Sequence, residues 1–193
     1  MNPISGPRNS VTTSALTTLI AAGLLSTASA MAQPTTAPGE TVRLQTPFTG
    51  IRKCLDIVND GRSNQLTMAD CGRYSGQAWS IQQDGAHYRL RTLFTGDRQC
   101  LDIVNDGENN KLTMARCENV SGQLWSLEQD GNFYRLRTMF TGPKRCLDIV
   151  NDGANNRLSM ATCADVSGQI WGVLSRLNSR NCRQGQPNLS CWA

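Results

Sequence analysis

One block of sequence occurs three times in this chain at a fixed period of 46 residues. It runs Phe-Thr-Gly, Cys-Leu-Asp-Ile-Val-Asn-Asp-Gly, Met-Ala-x-Cys and then Ser-Gly-Gln-x-Trp. Its landmarks are Cys54, Cys100 and Cys146, then Cys71, Cys117 and Cys163, then Trp79, Trp125 and Trp171. A unit this short cannot bury its own hydrophobic face, so the three copies must share one core. Any surface site the unit carries is then present in triplicate.

The local signals within a copy are all β. Trp125-Ser126-Leu127 alternates apolar and polar, Asp130-Gly131 supplies a tight-turn dipeptide, and Tyr134-Arg135-Leu136-Arg137 alternates again, which is a hairpin pattern. Trp79, Ile81, Asp84-Gly85, Tyr88 and Leu90 repeat it one period earlier. Cys54 to Val58 and Leu66 to Met68 predict two further strands around an Asn-Asp-Gly turn, and no helical stripe of useful length follows Glu40. Each copy therefore supplies four short strands. A propeller needs at least about four blades, and a three-unit solenoid would need caps that the sequence lacks. An all-β fold remains, a β-trefoil closed around a pseudo-threefold axis. Val42-Arg43-Leu44 stands where Tyr88-Arg89-Leu90 stands in the next copy, and the third copy ends near Leu174, so twelve strands are expected over 42–174.

Residues 1–32 are predicted to be a secretory signal peptide. Arg8 is the only charge before Glu40, Ala15 to Leu25 is apolar, and Ala28-Ser29-Ala30 or Ala30-Met31-Ala32 offers a cleavage site. Residues 33–41, rich in Thr and Pro, form a flexible leader. Loss of Arg8 lowers the formal charge from +4 to +3, without a Lys/Arg cluster, which points away from nucleic acid and anionic membranes. A secreted or periplasmic location is expected, with no membrane contact after cleavage.

Eight cysteines agree with export. Cys54/Cys71, Cys100/Cys117 and Cys146/Cys163 each lie 17 apart, and any pairing between copies would break the internal symmetry. Cys182/Cys191 forms a fourth pair in the unrepeated extension, residues 175–193. That extension is either a tail clamped over the barrel or a contact surface for a protein partner. Zinc is disfavoured because there is no Cys-x-x-Cys and the only histidine, His87, has no counterpart in the other copies. The run from Asp56 to Gly61 is a poor calcium loop, with Val58 at the third position and Thr67 at the twelfth. No metal or other cofactor is expected.

Cys-Leu-Asp followed by Cys and then Gln-x-Trp, three times in register, resembles the ricin B-chain-type β-trefoil lectin family over roughly Val42 to Leu174. The signature triplets are Gln77-Ala78-Trp79, Gln123-Leu124-Trp125 and Gln169-Ile170-Trp171. The resemblance implies a carbohydrate-binding module with a glycan or polysaccharide as partner. It implies that Asp56, Asp102 and Asp148 accept hydrogen bonds from sugar hydroxyls, a task suited to charge-assisted bonds. The competing role for these aspartates is capping the Asn-Asp-Gly turn. Asn64, Asn110 and Asn156 add amide contacts or shape the turn. Gln77, Gln123 and Gln169 satisfy loop backbone groups or face a ligand. The three tryptophans are expected in the core.

Two departures from the family stand out. An aromatic that stacks on sugar is expected two residues before the second cysteine, where this chain has Ala69, Ala115 and Ala161. The residue before the signature Gln, often Asn in binders, is Gly76, Gly122 or Gly168. Tyr74 is a substitute platform in the first copy alone, since Val120 and Val166 replace it. These losses keep open a second reading, a trefoil scaffold for protein contacts without sugar chemistry. Catalysis is not expected. The Asp56 and Asp60 carboxylates could form a glycosidase pair, yet they recur in all copies, and His87 cannot complete a Ser/His/Asp set.

Overall fold

The computed structural model describes residues 34–62 and 64–175; the predicted signal peptide, Cys182 and Cys191, and the extension beyond Ser175 lie outside the described residues. The first copy contributes β1 (Val42–Gln45), β2 (Lys53–Ile57), β3 (Leu66–Asp70) and β4 (Trp79–Asp84). The second contributes β5 (His87–Thr92), β6 (Gln99–Ile103), β7 (Leu112–Arg116) and β8 (Trp125–Asp130). The third contributes β9 (Phe133–Thr138), β10 (Arg145–Ile149), β11 (Leu158–Thr162) and β12 (Gly172–Ser175). Two short 3-10 turns, Ser75–Gln77 and Ser121–Gln123, precede the first two tryptophans.

The first and last strands of each copy form one six-stranded sheet in the order β12-β1-β4-β5-β8-β9. Tyr134 of β9 and Trp171, just before β12, exchange backbone hydrogen bonds of 2.9 Å in both directions and close that sheet into a barrel. Closure joins the two terminal strands of the sheet and so shortens the exposed edge that would otherwise template aggregation. The middle strands pair as three separate hairpins, β2–β3, β6–β7 and β10–β11. These cap the barrel and are linked in a cycle. The Met68 N–H donates to the Asn156 carbonyl at 2.8 Å, Met114 to Asn64 at 2.9 Å, and Met160 to Asn110 at 2.8 Å. Each copy thus grips the next through its hairpin.

The alternation read from the sequence decides what points inward. Trp79, Trp125 and Trp171 are fully buried, packed with Leu44, Leu90 and Leu136 from the barrel and Leu55, Leu101 and Leu147 from the hairpins. Each indole N–H needs an acceptor in this apolar setting. It donates to the carbonyl of Leu55, Leu101 or Leu147 at 2.9, 3.0 and 3.0 Å, fastening barrel to cap. The tight turns at Gly85 and Gly131 have φ of +61° and +60°, which glycine adopts without the Cβ penalty.

Cys54–Cys71, Cys100–Cys117 and Cys146–Cys163 are bonded, with Cα–Cα distances of 5.1, 5.0 and 5.0 Å. Each bridge staples the start of a hairpin to the loop after it. In the stretch expected to be a flexible leader, Thr36 is tied to β4: its N–H donates to the Ile81 carbonyl at 2.9 Å, and its Oγ1 accepts from the Ile81 N–H at 2.9 Å. β4 pairs with β1 only at Trp79↔Val42, so this outer edge is free to accept an extra segment.

Candidate functional site

Asp56, Asp102 and Asp148 each sit between two inward-facing residues of a hairpin strand, so their carboxylates face outward. One oxygen, Oδ1, accepts from the following backbone N–H of Ile57, Ile103 or Ile149 at 2.7, 2.7 and 2.8 Å. The other, Oδ2, accepts from Nε2 of Gln77, Gln123 or Gln169 at 2.8, 2.8 and 2.9 Å. A carboxylate has about four lone-pair directions, so each retains acceptor capacity.

The three glutamines are buried and their polar atoms are engaged within the fold. Besides the aspartate, Nε2 donates to the carbonyl of Asp70, Arg116 or Thr162 at 2.9, 2.8 and 3.0 Å. Oε1 accepts from the N–H of Gly72, Glu118 or Ala164 at 2.8 Å in every copy. The glutamine therefore orients the aspartate and holds the loop after the second cysteine. Arg43, Arg89 and Arg135 latch the same loop through the carbonyls of Gly72, Glu118 and Ala164 at 2.6, 2.7 and 2.5 Å.

Gly76, Gly122 and Gly168 have a positive role. A Cβ on them would lie 2.2, 2.3 or 2.5 Å from Oδ1 of Asp56, Asp102 or Asp148. The glycine leaves the space the carboxylate occupies, so an asparagine there would demand a different aspartate rotamer. Gly122→Ala is accordingly expected to swing Asp102 out of its two hydrogen bonds and cost about 1–3 kcal/mol. Chemical denaturation of the variant beside Ser75→Ala checks this, and equal stability of the two would contradict it.

The Asp56 carboxylate opens on a cavity of about 500 Å³ lined also by Asn59, Arg73, Tyr74, Ser75, Gly76 and Phe94. The Asp148 cavity, about 400 Å³, is lined by Phe48, Ile149, Asn151, Val166, Ser167 and Gly168. Both contain an aromatic supplied by the copy that follows around the axis: Phe94 from the second copy serves the first, and Phe48 from the first serves the third. Ala69, Ala115 and Ala161 supply no aromatic, as read from the sequence; the two phenylalanines, which that reading did not place, line the cavities instead. The Phe-Thr-Gly repeat held the signal, but its distance along the chain from each aspartate hid it.

Asn64, Asn110 and Asn156 are placed in the cycle of backbone hydrogen bonds between hairpins and do not line these two cavities. Their place is taken by Asn59 and Asn151 of the Asn-Asp-Gly turns. The turn is capped by the second aspartate and not by Asp56, Asp102 or Asp148. Asp60 accepts from the Arg62 N–H at 3.0 Å, Asp106 from Asn109 at 3.0 Å, and Asp152 from Asn155 at 2.9 Å. The Lys111 ammonium and the Asn109 N–H hold the Asp106 carboxyl below its ordinary range. The Asn155 N–H and the Arg157 guanidinium do the same for Asp152.

A family model described as the ricin-type beta-trefoil lectin domain matches residues 40–171. The chain belongs to this family. Its neighbours among solved structures are β-trefoils. The designed threefold-symmetric protein ThreeFoil superposes with a TM-score of 0.59 at 19% identity, covering 68% of this chain and 96% of that one. A Polyporus squamosus lectin, solved with a Neu5Ac-containing human-type influenza-binding epitope, gives 0.59 at 14% identity, over 79% of this chain and 56% of its own. SeviL, solved with the asialo-GM1 saccharide, gives 0.52 at 22% identity, over 71% and 98%. Comparison with curated protein sequences gives no match. Membership of this lectin family and the lectin neighbours support a carbohydrate-binding module.

Proposed function

We propose that this protein is an exported, non-catalytic module that binds glycans through three related pockets. Asp56, Asp102 and Asp148 accept hydrogen bonds from sugar hydroxyls, and Gln77, Gln123 and Gln169 position them. Asn59 and Asn151 offer amide contacts beside them, and Phe94 and Phe48 give the sugar an apolar wall. The observation that carries this is the carboxylate held from behind by two hydrogen bonds, three times over, with its open side facing solvent. A group so fixed costs little entropy on binding.

Export rests on the N-terminal segment 1–32, which we read as a cleaved signal peptide, and on three disulfides, which persist in oxidising compartments. Three weak pockets on one rigid body gain avidity on a polyvalent glycan when the geometry lets two engage together. A glycan array probed with the secreted protein and with a variant carrying Asp56→Ala, Asp102→Ala and Asp148→Ala tests the assignment. The variant is expected to lose at least about tenfold in binding, since one charge-assisted hydrogen bond is worth about 1.5–3 kcal/mol. Failure of the unmodified protein to bind any glycan, or full binding by a folded triple variant, would overturn it.

A further inference from the structure

The first pocket differs from its counterparts at three successive rim positions. Gly72-Arg73-Tyr74 stands where the second copy has Glu118-Asn119-Val120 and the third has Ala164-Asp165-Val166. The formal charge of this rim is +1 in the first copy and −1 in each of the others. Arg73 is exposed, lines the cavity, and has no partner among the described residues. In the third copy the corresponding Asp165 is engaged by Arg135 at 2.7 Å. Tyr74 packs against Gly72, where an added Cβ would lie 2.3 Å from its ring, and keeps 63% of its surface exposed. The same cavity is lined by Asp56 and Phe94.

From this geometry we infer that the first pocket selects an acidic sugar, with ring hydroxyls on Asp56, the ring face on Tyr74, and a carboxylate or sulfate on Arg73. The inference rests on the carbohydrate function proposed above and adds the ligand's charge. Asp56 alone would repel an anion, so the acidic group must lie at the rim, where Arg73 stands. A guanidinium presents a planar fork of donors that matches a carboxylate or sulfate. The contact is solvent-exposed and salt-screened, so it adds selectivity of about threefold to fivefold without dominating affinity. The second and third pockets, with acidic rims and no tyrosine, take neutral glycans.

The test is an array on which uronic-acid, sialylated and sulfated glycans are each printed beside their neutral parents. The full secreted protein is compared with Arg73→Asn and Tyr74→Val, which install the second copy's own residues and so respect the fold. The unmodified protein is expected to prefer at least one acidic class over its neutral parent by about threefold to fivefold, less at 0.5 M salt than at 0.05 M. R73N is expected to bring the ratio of acidic to neutral-parent binding to about one, and the preferred class separates carboxylate from sulfate. Neutral parents bound as well as acidic ones, or a preference that survives R73N, would overturn the inference and leave the carbohydrate function standing. No binding to any glycan would remove both.

Discussion

Trp125→Ala lowers the free energy of unfolding by about 3–5 kcal/mol, a large share of what a domain of this size possesses. Trp125 is fully buried where β8 meets the β6–β7 cap, so truncation leaves a cavity that neighbouring strands, locked in a closed barrel, cannot collapse into. It also strips the Leu101 carbonyl of the indole N–H at 3.0 Å, leaving an acceptor unpaired in an apolar interior. The same loss is expected at Trp79 and Trp171, which make the same bond to Leu55 and Leu147. Urea denaturation followed by tryptophan fluorescence measures it. Val120→Ala, at a residue 40% exposed, serves as the control and should move stability by less than about 0.5 kcal/mol. A Trp125→Ala penalty below 1 kcal/mol would mean that the shared core is not what holds the copies together.

Removal of the middle disulfide by Cys100→Ser with Cys117→Ser is expected to cost about 3 kcal/mol, the chain-entropy worth of a closed loop of this length. The 17-residue separation is the same in all three copies, so each bridge should contribute similarly. The consequence reaches the pocket as well. Cys117 leads into the loop whose Glu118 N–H is held by Gln123, and Gln123 in turn holds Asp102. Loosening that loop should weaken the orientation of Asp102 while Asp56 and Asp148 keep theirs. Denaturation under non-reducing conditions checks the stability, and titration of the variant with a bound glycan checks the local effect. Equal stability with and without the bridge would show that the copy-to-copy hydrogen bonds suffice.

The parts of this fold that were legible share one property: each is a pattern along one copy or its recurrence at the equivalent position of the next. Alternation along Tyr134 to Arg137 exposed a strand, Asp130-Gly131 a turn, the spacing of Cys100 and Cys117 a bridge, and the repeat of Trp125 a shared core. The pocket is not such a pattern. Phe94 belongs to the second copy but lines the cavity of Asp56, and Phe48 does the same for Asp148. Aligning the copies compares each position with its own equivalents, so a wall donated by the neighbouring copy stays invisible.

Gly76 has a role that the sequence did not show, for a related reason. In sequence it is an absent side chain, whereas in space it is the room that the Asp56 carboxylate needs. The asparagines illustrate the same limit at short range. Asn59 and Asn64 lie on one loop, yet the first lines the pocket while the backbone carbonyl of the second is bonded to the neighbouring copy. The bond from the Met114 N–H to the Asn64 carbonyl is a contact between copies, which one copy's sequence does not show.

The most direct test is a two-dimensional amide NMR titration of the protein with a glycan taken from the array. Glycan binding at the aspartates predicts that the largest shifts fall on the N–H groups of Ile57, Ile103 and Ile149, which donate to those carboxylates, and on Gly76, Gly122 and Gly168 beside them. Shifts gathered instead around the apolar cleft of Pro47, Ile51 and Phe133, or spread over the surface without a centre, would contradict it.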